Sequence, residues 1–573
     1  MTETPTAAVP ATPARPDATR DDDHLDPRRW IALLSVLTAT FMVLLDISIV
    51  NVAIPAIRNN LSANDADIQF VIAGYALAYA LVLITGGRLG DIYGRKKLFM
   101  IGMTGFITAS ALCGLAQSAV MLDLSRVLQG MFAALMFPQV LSVIQVTFPP
   151  HERAKAFGIL GAVIGIATVT GPLAGGLIIR DDLTGGSWRW IFLVNLPIGL
   201  ASLLAAWRVL SESRAPHATR LDLVGVAIAS VGLFLLVYPL VQGQTQGWPA
   251  WTFISMAVSP FVLALFVLYE RSLGPDRFPL VQLTLFRIRA FRVGVVIAAV
   301  FIAGIPAFFF TFSLTVQAGL GYSALHAGLT TIPFSVASAI ASAYSARLAP
   351  KLGKWTISIG AGVLVIGMLG VILTLQLRGA GVTTADLIPS FVVSGLGLGT
   401  VVAPLLNVIL AGVPPRDAGS ASGVLTTFQQ LGGAMGIALV GVIFFGLLSS
   451  RADTVTAEVT PQLRSELIAA HLPPAVLDST VAQFVRCFHD RAGETDPTKV
   501  PASCPKTTST NPAVASAFSK AATLALGRDF VSSFERTLIF NVAAFLATAL
   551  IALLLPQPRA RTEPLRQAAA AAH

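Results

Sequence analysis

Residues 31–55, IALLSVLTATFMVLLDISIVNVAIP, hold 25 positions with one ionisable side chain, Asp46, near the middle. About 20 mostly apolar residues suffice to cross a bilayer as a helix, so this stretch reads as a membrane span. A carboxylate at that depth costs about 2.5–3.5 kcal/mol on insertion scales, and such an acid is a functional candidate by default. Desolvation favours its neutral form, which lets Asp46 take and release a proton as its surroundings turn from wet to dry. A structural acid satisfied by helix neighbours is the alternative. Asn51 lies farther along the same helix, and Pro55 can loosen the backbone there, so both are placed at the edge of a cavity.

Working outward, similar apolar segments recur from Trp30 to Leu555, fourteen in all, and 54% of the 573 residues are hydrophobic against 12% charged. That composition excludes an ordinary soluble chain. The fold expected is an all-α membrane protein of two six-helix bundles with two further helices between them. The net charge of +9 is carried mainly by short loops, with most Lys and Arg on one side, so it reports topology rather than nucleic-acid binding. Both termini are thereby expected in the cytoplasm, and no signal peptide is read at the N-terminus.

Internal echoes support two parallel halves. Gly87-Arg88-Leu89-Gly90-Asp91 with Gly94-Arg95 is matched by Ala346-Arg347-Leu348-Ala349-Pro350 with Gly353-Lys354, and Pro149-Pro150 with Gly158 by Pro414-Pro415 with Gly423. The expected organisation is a disordered cytoplasmic tail at 1–29, a six-helix bundle at 30–210 and two inserted helices at 211–275. Five helices follow at 276–448, then an extracytoplasmic loop at 449–531, a last span at 532–556 and a cytoplasmic tail at 557–573. The polar loop is long enough to be functional or disordered. It is the expected site for a periplasmic or cell-wall partner. The outer face of a bacterial membrane permits Cys487 and Cys504 to pair, with two free thiols as the alternative; Cys113, inside a span, reads as a packing residue.

Several motifs suggest a moving machine. Arg126 and Gln129 share a helical face, and a buried Arg needs an acid, either Asp123 one turn away or Asp46 on another helix; a snorkelling interfacial Arg is the bland alternative. Gly87, Arg88, Asp91 and Arg95 combine a tight turn with charges suited to an inner latch, in which Asp91 holds Arg95 or the positive end of a helix from the other half. A loop that only fixes orientation is the competing reading. Gly171-Pro172 and Gly175 form a small, breakable face suited to a hinge or to static close packing. Gln129, Gln429 and Gln430 place amides inside spans, where they are expected to face the substrate cavity, and Phe309 lies in a Phe run that can wall a substrate or face lipid.

These segments resemble signature segments of the major facilitator superfamily, and more narrowly its fourteen-span drug:proton antiporters. The stretches that carry the resemblance are Leu45 to Pro55, Gly87 to Lys96, Arg126 to Gly130, Gly171-Pro172 with Gly175-Gly176, and Trp188 to Phe192 with Asn195 and Pro197. The resemblance implies alternating access and export of an organic compound in exchange for protons. It makes Asp46 the proton-responsive acid, Arg126 its counterpart, Asp91 and Arg95 the inner gate, and Gly171-Pro172 the hinge. Some family members that export dications carry an acid in the thirteenth span, where this chain has Gln429 and Gln430; two cationic charges against one carboxylate would leave one uncompensated.

The expected activity is therefore export of small hydrophobic or amphipathic compounds across a bacterial cytoplasmic membrane, the partners being the substrate, protons and the bilayer. Export of lipid or glycolipid cargo, handed off by the long loop, is the alternative, and a sensor that has lost transport is a third. No nucleotide-binding loop, nucleophile motif or metal-ligand spacing appears, so no enzyme, cofactor or metal is expected.

Overall fold

The computed structural model describes residues 26–63, 65–180, 187–215, 220–243, 246–273, 279–493, 501–504 and 512–556. Residues 1–25 of the tail expected at 1–29 and the tail expected at 557–573 lie outside them, as do the side chains of Asn51, Pro55 and Pro172. Every regular element among the described residues is helical. The N-terminal half comprises α1 (Arg29–Leu61), α2 (Asp65–Tyr93), α3 (Arg95–Gly114), α4 (Ala119–Thr147) and α5 (Pro150–Arg180). It closes with a sixth span made of α6 (Trp190–Leu193) and α7 (Asn195–Val209). Two helices follow, α8 (Leu223–Gln242) and α9 (Ala250–Ser272). The C-terminal half begins with α10 (Arg289–Leu314), α11 (Ala324–Thr330), α12 (Ile332–Leu352), α13 (Trp355–Arg378) and α14 (Thr384–Ala411). It ends with α15 (Ala418–Ala469), α16 (Pro474–Gly493) and α17 (Pro512–Ala552).

Thirteen candidate spans among the described residues are long and apolar enough to cross a membrane. The helix needed to reach the expected fourteen is α5, 31 residues long. Large apolar side chains stay exposed around the bundle, as with Phe261, Leu268 and Leu377, because lipid rather than water is their solvent. Helices, whose backbone hydrogen bonds are satisfied internally, tolerate that surrounding.

The two halves repeat one pattern of neighbours. In the first, α2 and α3 pack on α4, and α1 on α5 and α7; in the second, α12 and α13 pack on α14, and α10 on α15 and α17. The halves meet along α5 with α12 and along α2 and α4 with α15. The inserted helices α8 and α9 pack on each other, and α8 also reaches α2 and α15.

The segment expected as a loop at 449–531 is largely helical. α15 runs 52 residues without a break, about 78 Å at 1.5 Å per residue, against a hydrocarbon core of about 30 Å. Its second half, α16 and the start of α17 form a cap with its own core of Val455, Val459, Leu463, Leu467, Val481, Phe484, Phe488, Val514 and Ala521. Those positions recur at helical spacing, so amphipathic periodicity, not irregular chain, explains the polar composition. Ion pairs Arg464–Asp478 and Arg528–Glu458 tie the cap together, and a disulfide joins Cys487 to Cys504.

Candidate functional site

Two clusters of buried polar side chains stand out, one inside the N-terminal half and one where the halves meet. The first gathers around Asp46, which is fully buried. Arg126 on α4 reaches it at 2.5 Å, Gln129 Nε2 donates to the other carboxylate oxygen at 2.9 Å, and Asn195 at the start of α7 approaches at 3.3 Å. Arg126 also donates to Gln129 Oε1 and to the Val71 carbonyl, and its guanidinium lies 4.3 Å from the centre of the Tyr75 ring. A buried Arg satisfied on every side in this way is consistent with the high cost of an unpaired charge in low dielectric.

The sequence spacing of Arg126 and Gln129 put both on the face of α4 that meets α1. Asp46, not Asp123, is the acid that Arg126 holds. Gln129, expected in the substrate cavity, instead bridges Asp46 and Arg126 within the bundle. Cys113, also buried, donates toward Gln129 Oε1 at 3.6 Å, so it borders the cluster in addition to packing there. Asn195 and Tyr75 join the cluster without standing among the residues that the sequence marks as functional. Asn195 left a trace in the Phe192 to Pro197 segment, whereas a Tyr in an apolar span carries no signal of which way it faces.

The second cluster lies at the opposite end of α15 from the cap. Asp91 accepts from the backbone N–H groups of Gly419 and Ser420, at 3.0 and 2.9 Å, which open α15 in the other half. It also takes an ion pair from Arg95 at 2.8 Å, and Arg95 donates onward to the Pro415 carbonyl at 2.8 Å. The N-terminus of a helix carries partial positive charge and unsatisfied N–H groups, so a carboxylate fits there doubly well. Asp91 thus holds both partners at once. Gly87 allows the approach: a Cβ at that position would stand 2.3 Å from the Gly419 carbonyl oxygen. Gln145 on α4 donates to the Leu410 carbonyl at 2.6 Å, and Ser142 meets Ser422 at 3.2 Å. Arg88 is buried beside them with Nε and one terminal nitrogen unpartnered.

The remaining candidates are scattered. Gly171 and Gly175 are buried on α5, and a Cβ on Gly171 would collide with Ser48 Oγ of α1. α5 continues unbroken through this point. Gln429 and Gln430 are half-buried, and Gln430 falls on the same helical stripe of α15 as Gly419 and Gly423, which face α2. Phe309 is half-buried and packs on Phe308 and Phe334. With Ile305, Met368 and Phe545 they line a cavity of about 10 Å³ inside the C-terminal half, room for at most one water. In this arrangement the Phe cluster is packed interior rather than a substrate wall. Among the described residues no group of His, Cys, Asp and Glu can hold a metal ion.

The sequence profile of the Major Facilitator Superfamily matches residues 36–437. The chain belongs to that superfamily. It is 40% identical over 564 residues to the "Probable actinorhodin transporter" of Streptomyces coelicolor, covering 98% of this chain and 97% of that protein. It is 36% identical to the tetracenomycin C resistance and export protein of Streptomyces glaucescens, over 75% of this chain and 77% of that one. It is 34% identical to the puromycin resistance protein of Streptomyces alboniger, over 74% and 83%. Among solved structures, the human organic anion transporter MFSD10 superposes with a TM-score of 0.52 at 15% identity, covering 72% of this chain and 93% of that one. That likeness bears on the fold, which is the superfamily's.

Proposed function

We propose that this superfamily member is a proton-coupled exporter of small, largely apolar organic compounds of antibiotic type, seated in the bacterial cytoplasmic membrane with both termini inside. The observation that carries the reading is the buried Asp46–Arg126 pair with Gln129 and Asn195 around it. Relatives named for export of, or resistance to, tetracenomycin C and for resistance to puromycin support the cargo class. Protonating Asp46 removes the charge that holds Arg126, so the two protonation states favour different packings of α1 against α4. A proton can drive transport only through such a differential preference. The latch at Asp91 holds the halves together at one end, and alternating access requires that it release when the other end closes.

The test uses the purified protein in liposomes with an imposed proton gradient, and puromycin, tetracenomycin C and ethidium as probes. Gradient-driven movement of at least one probe in the wild type, abolished in Asp46→Asn protein that inserts normally, is the expected result. Full activity in that variant would remove the coupling role.

A further inference from the structure

The C-terminal half contains a buried acid that the cluster at Asp46 does not involve. Asp529 on α17 is 1% exposed, and Ser533, Thr537 and Asn541, each one turn farther on, are 0% exposed. Spacing by four puts all of them on one face of the helix, a polar file sunk into an apolar bundle. Asp529 Oδ1 and Asn541 Oδ1 keep no partner, and the Ser533 hydroxyl lies within hydrogen-bonding reach of the Asp529 carboxyl. The far end of the file is anchored where Asn541 Nδ2 donates to the Gly304 carbonyl of α10 at 2.6 Å.

A second, independent feature meets the near end of the file. Directly after α10 the chain widens into a π turn at Thr315–Gly319, with Leu320 N–H bonded to the Thr315 carbonyl. Such turns are rare and concentrate at functional sites. This one abuts Asp529's neighbour: a Cβ on Gly319 would stand 2.5 Å from Phe530 Cβ. Asp529 itself lies at the floor of the cap and faces Arg451 of α15.

We propose that Asp529 is a second proton-binding carboxyl, with the Ser533–Thr537–Asn541 file as its polar path into the C-terminal half. The charged group facing it from α15 is Arg451, which directs its Nε to Ser532 Oγ at 3.1 Å rather than to the carboxylate. Of the nearby charges, Glu535 on α17 is bonded to Gln376 of α13, and Arg378 at the end of α13 is paired with Asp386. An acid this buried, without a bonded cation, is held more cheaply with a proton than without one. A metal ion would need several more converging oxygens. The proton, not sodium, is thus the occupant.

The proposal predicts proton binding by the protein alone. A transport consequence rests on the proton-coupled reading above. Infrared titration of the purified protein in lipid nanodiscs, without cargo, reads the protonated carboxyl stretch directly. A band that persists in Asp46→Asn, is lost in Asp529→Asn and shifts in Ser533→Ala is the expected result. Persistence of every protonated-carboxyl band in Asp529→Asn would overturn the proposal, as would displacement of the band by sodium at constant pH. If Asp529→Asn does not fold, Ser533→Ala decides, since an unshifted set of bands there refutes the site. In liposomes, Asp529→Asn should alter the pH profile of ethidium efflux, and Asp529→Glu should restore it. An intact gradient-driven efflux in Asp46→Asn would defeat the proposed function and leave the infrared result standing.

Discussion

Asp91→Asn isolates what the latch contributes to closing one end of the transporter. The ion pair to Arg95 joins α2 to α3 within one half, so it need not differ between open and closed arrangements. The bonds from Gly419 and Ser420 N–H cross between the halves and, on the proposed alternating-access reading, exist only when that end is shut. Hydrogen bonds to a charged group are worth about 1.5–3 kcal/mol each, and neutral ones about 0.5–1.5. Asn offers one carbonyl oxygen, so one crossing bond survives at neutral strength and the other is lost. The net loss is about 3 kcal/mol, and at 1.4 kcal/mol per decade the closed arrangement loses about 100-fold in relative population. Only such state-specific contacts move the equilibrium. The readout is Ser422→Cys, which sits in the seam against Ser142. The native cysteines interfere little, since Cys113 is buried and the other two are bonded. In everted vesicles, an impermeant thiol reagent should label Ser422→Cys slowly in the parent and at least tenfold faster with Asp91→Asn. Equal rates would refute the assignment of Asp91 as a state-specific tie.

Gly87→Val should go further, because its side chain would drive into the Gly419 backbone and bar closure altogether; loss of probe efflux with normal membrane insertion is expected, and Gly87→Ala should fall between. Breaking the cap disulfide with Cys504→Ser frees a loop of 17 residues, which chain-entropy arguments put at about 3 kcal/mol. Faster proteolysis between α16 and α17, with probe efflux little changed, is the outcome to be checked by limited digestion and transport in parallel.

The membrane class, the halves and the Asp46–Arg126 partnership were legible because each rests on a strong local signal: long apolar runs, repeated turn motifs, and charges that lipid makes expensive. What the sequence hid is instructive. Gln129 reads as a cavity amide, yet the polar atoms it faces sit on α1 and within α4, and sequence spacing does not reveal which neighbour a span's polar face will meet. The cap was hidden by composition, since Val455, Val459, Leu463 and Leu467 make a narrow stripe among polar residues and a hydropathy average erases it. Asp529 lies just before the apolar run that begins at 532, so it reads as loop until α17 is seen to extend back to Pro512. Asn195 shows the reverse case, a residue visible in a motif whose bond to Asp46 only the packing of α7 reveals.

How a proton at Asp46 could reach the latch follows from what α4 carries. Arg126 binds Asp46 near one end of that helix. About 24–28 Å along, at 1.5 Å per residue, Ser142 and Gln145 bond to Ser422 and to the Leu410 carbonyl of the other half. Between them Gln139 donates to the Gly86 carbonyl at 2.8 Å, fastening α4 to α2 beside Gly87. A shift of Arg126 on losing its counter-charge is therefore transmitted by one helix to contacts that exist only in the closed arrangement, and α2 must follow. Coupling of this kind needs a two-state element that both sites bias, and the pair α2–α4 meets that description on the proposed reading. Gln139→Leu tests it: the bond to Gly86 is lost while Asp46, Arg126 and Asp91 are untouched. The variant should retain probe binding, yet labelling of Ser422→Cys should no longer respond to pH. A response as large as the parent's would show that the two clusters communicate by another route.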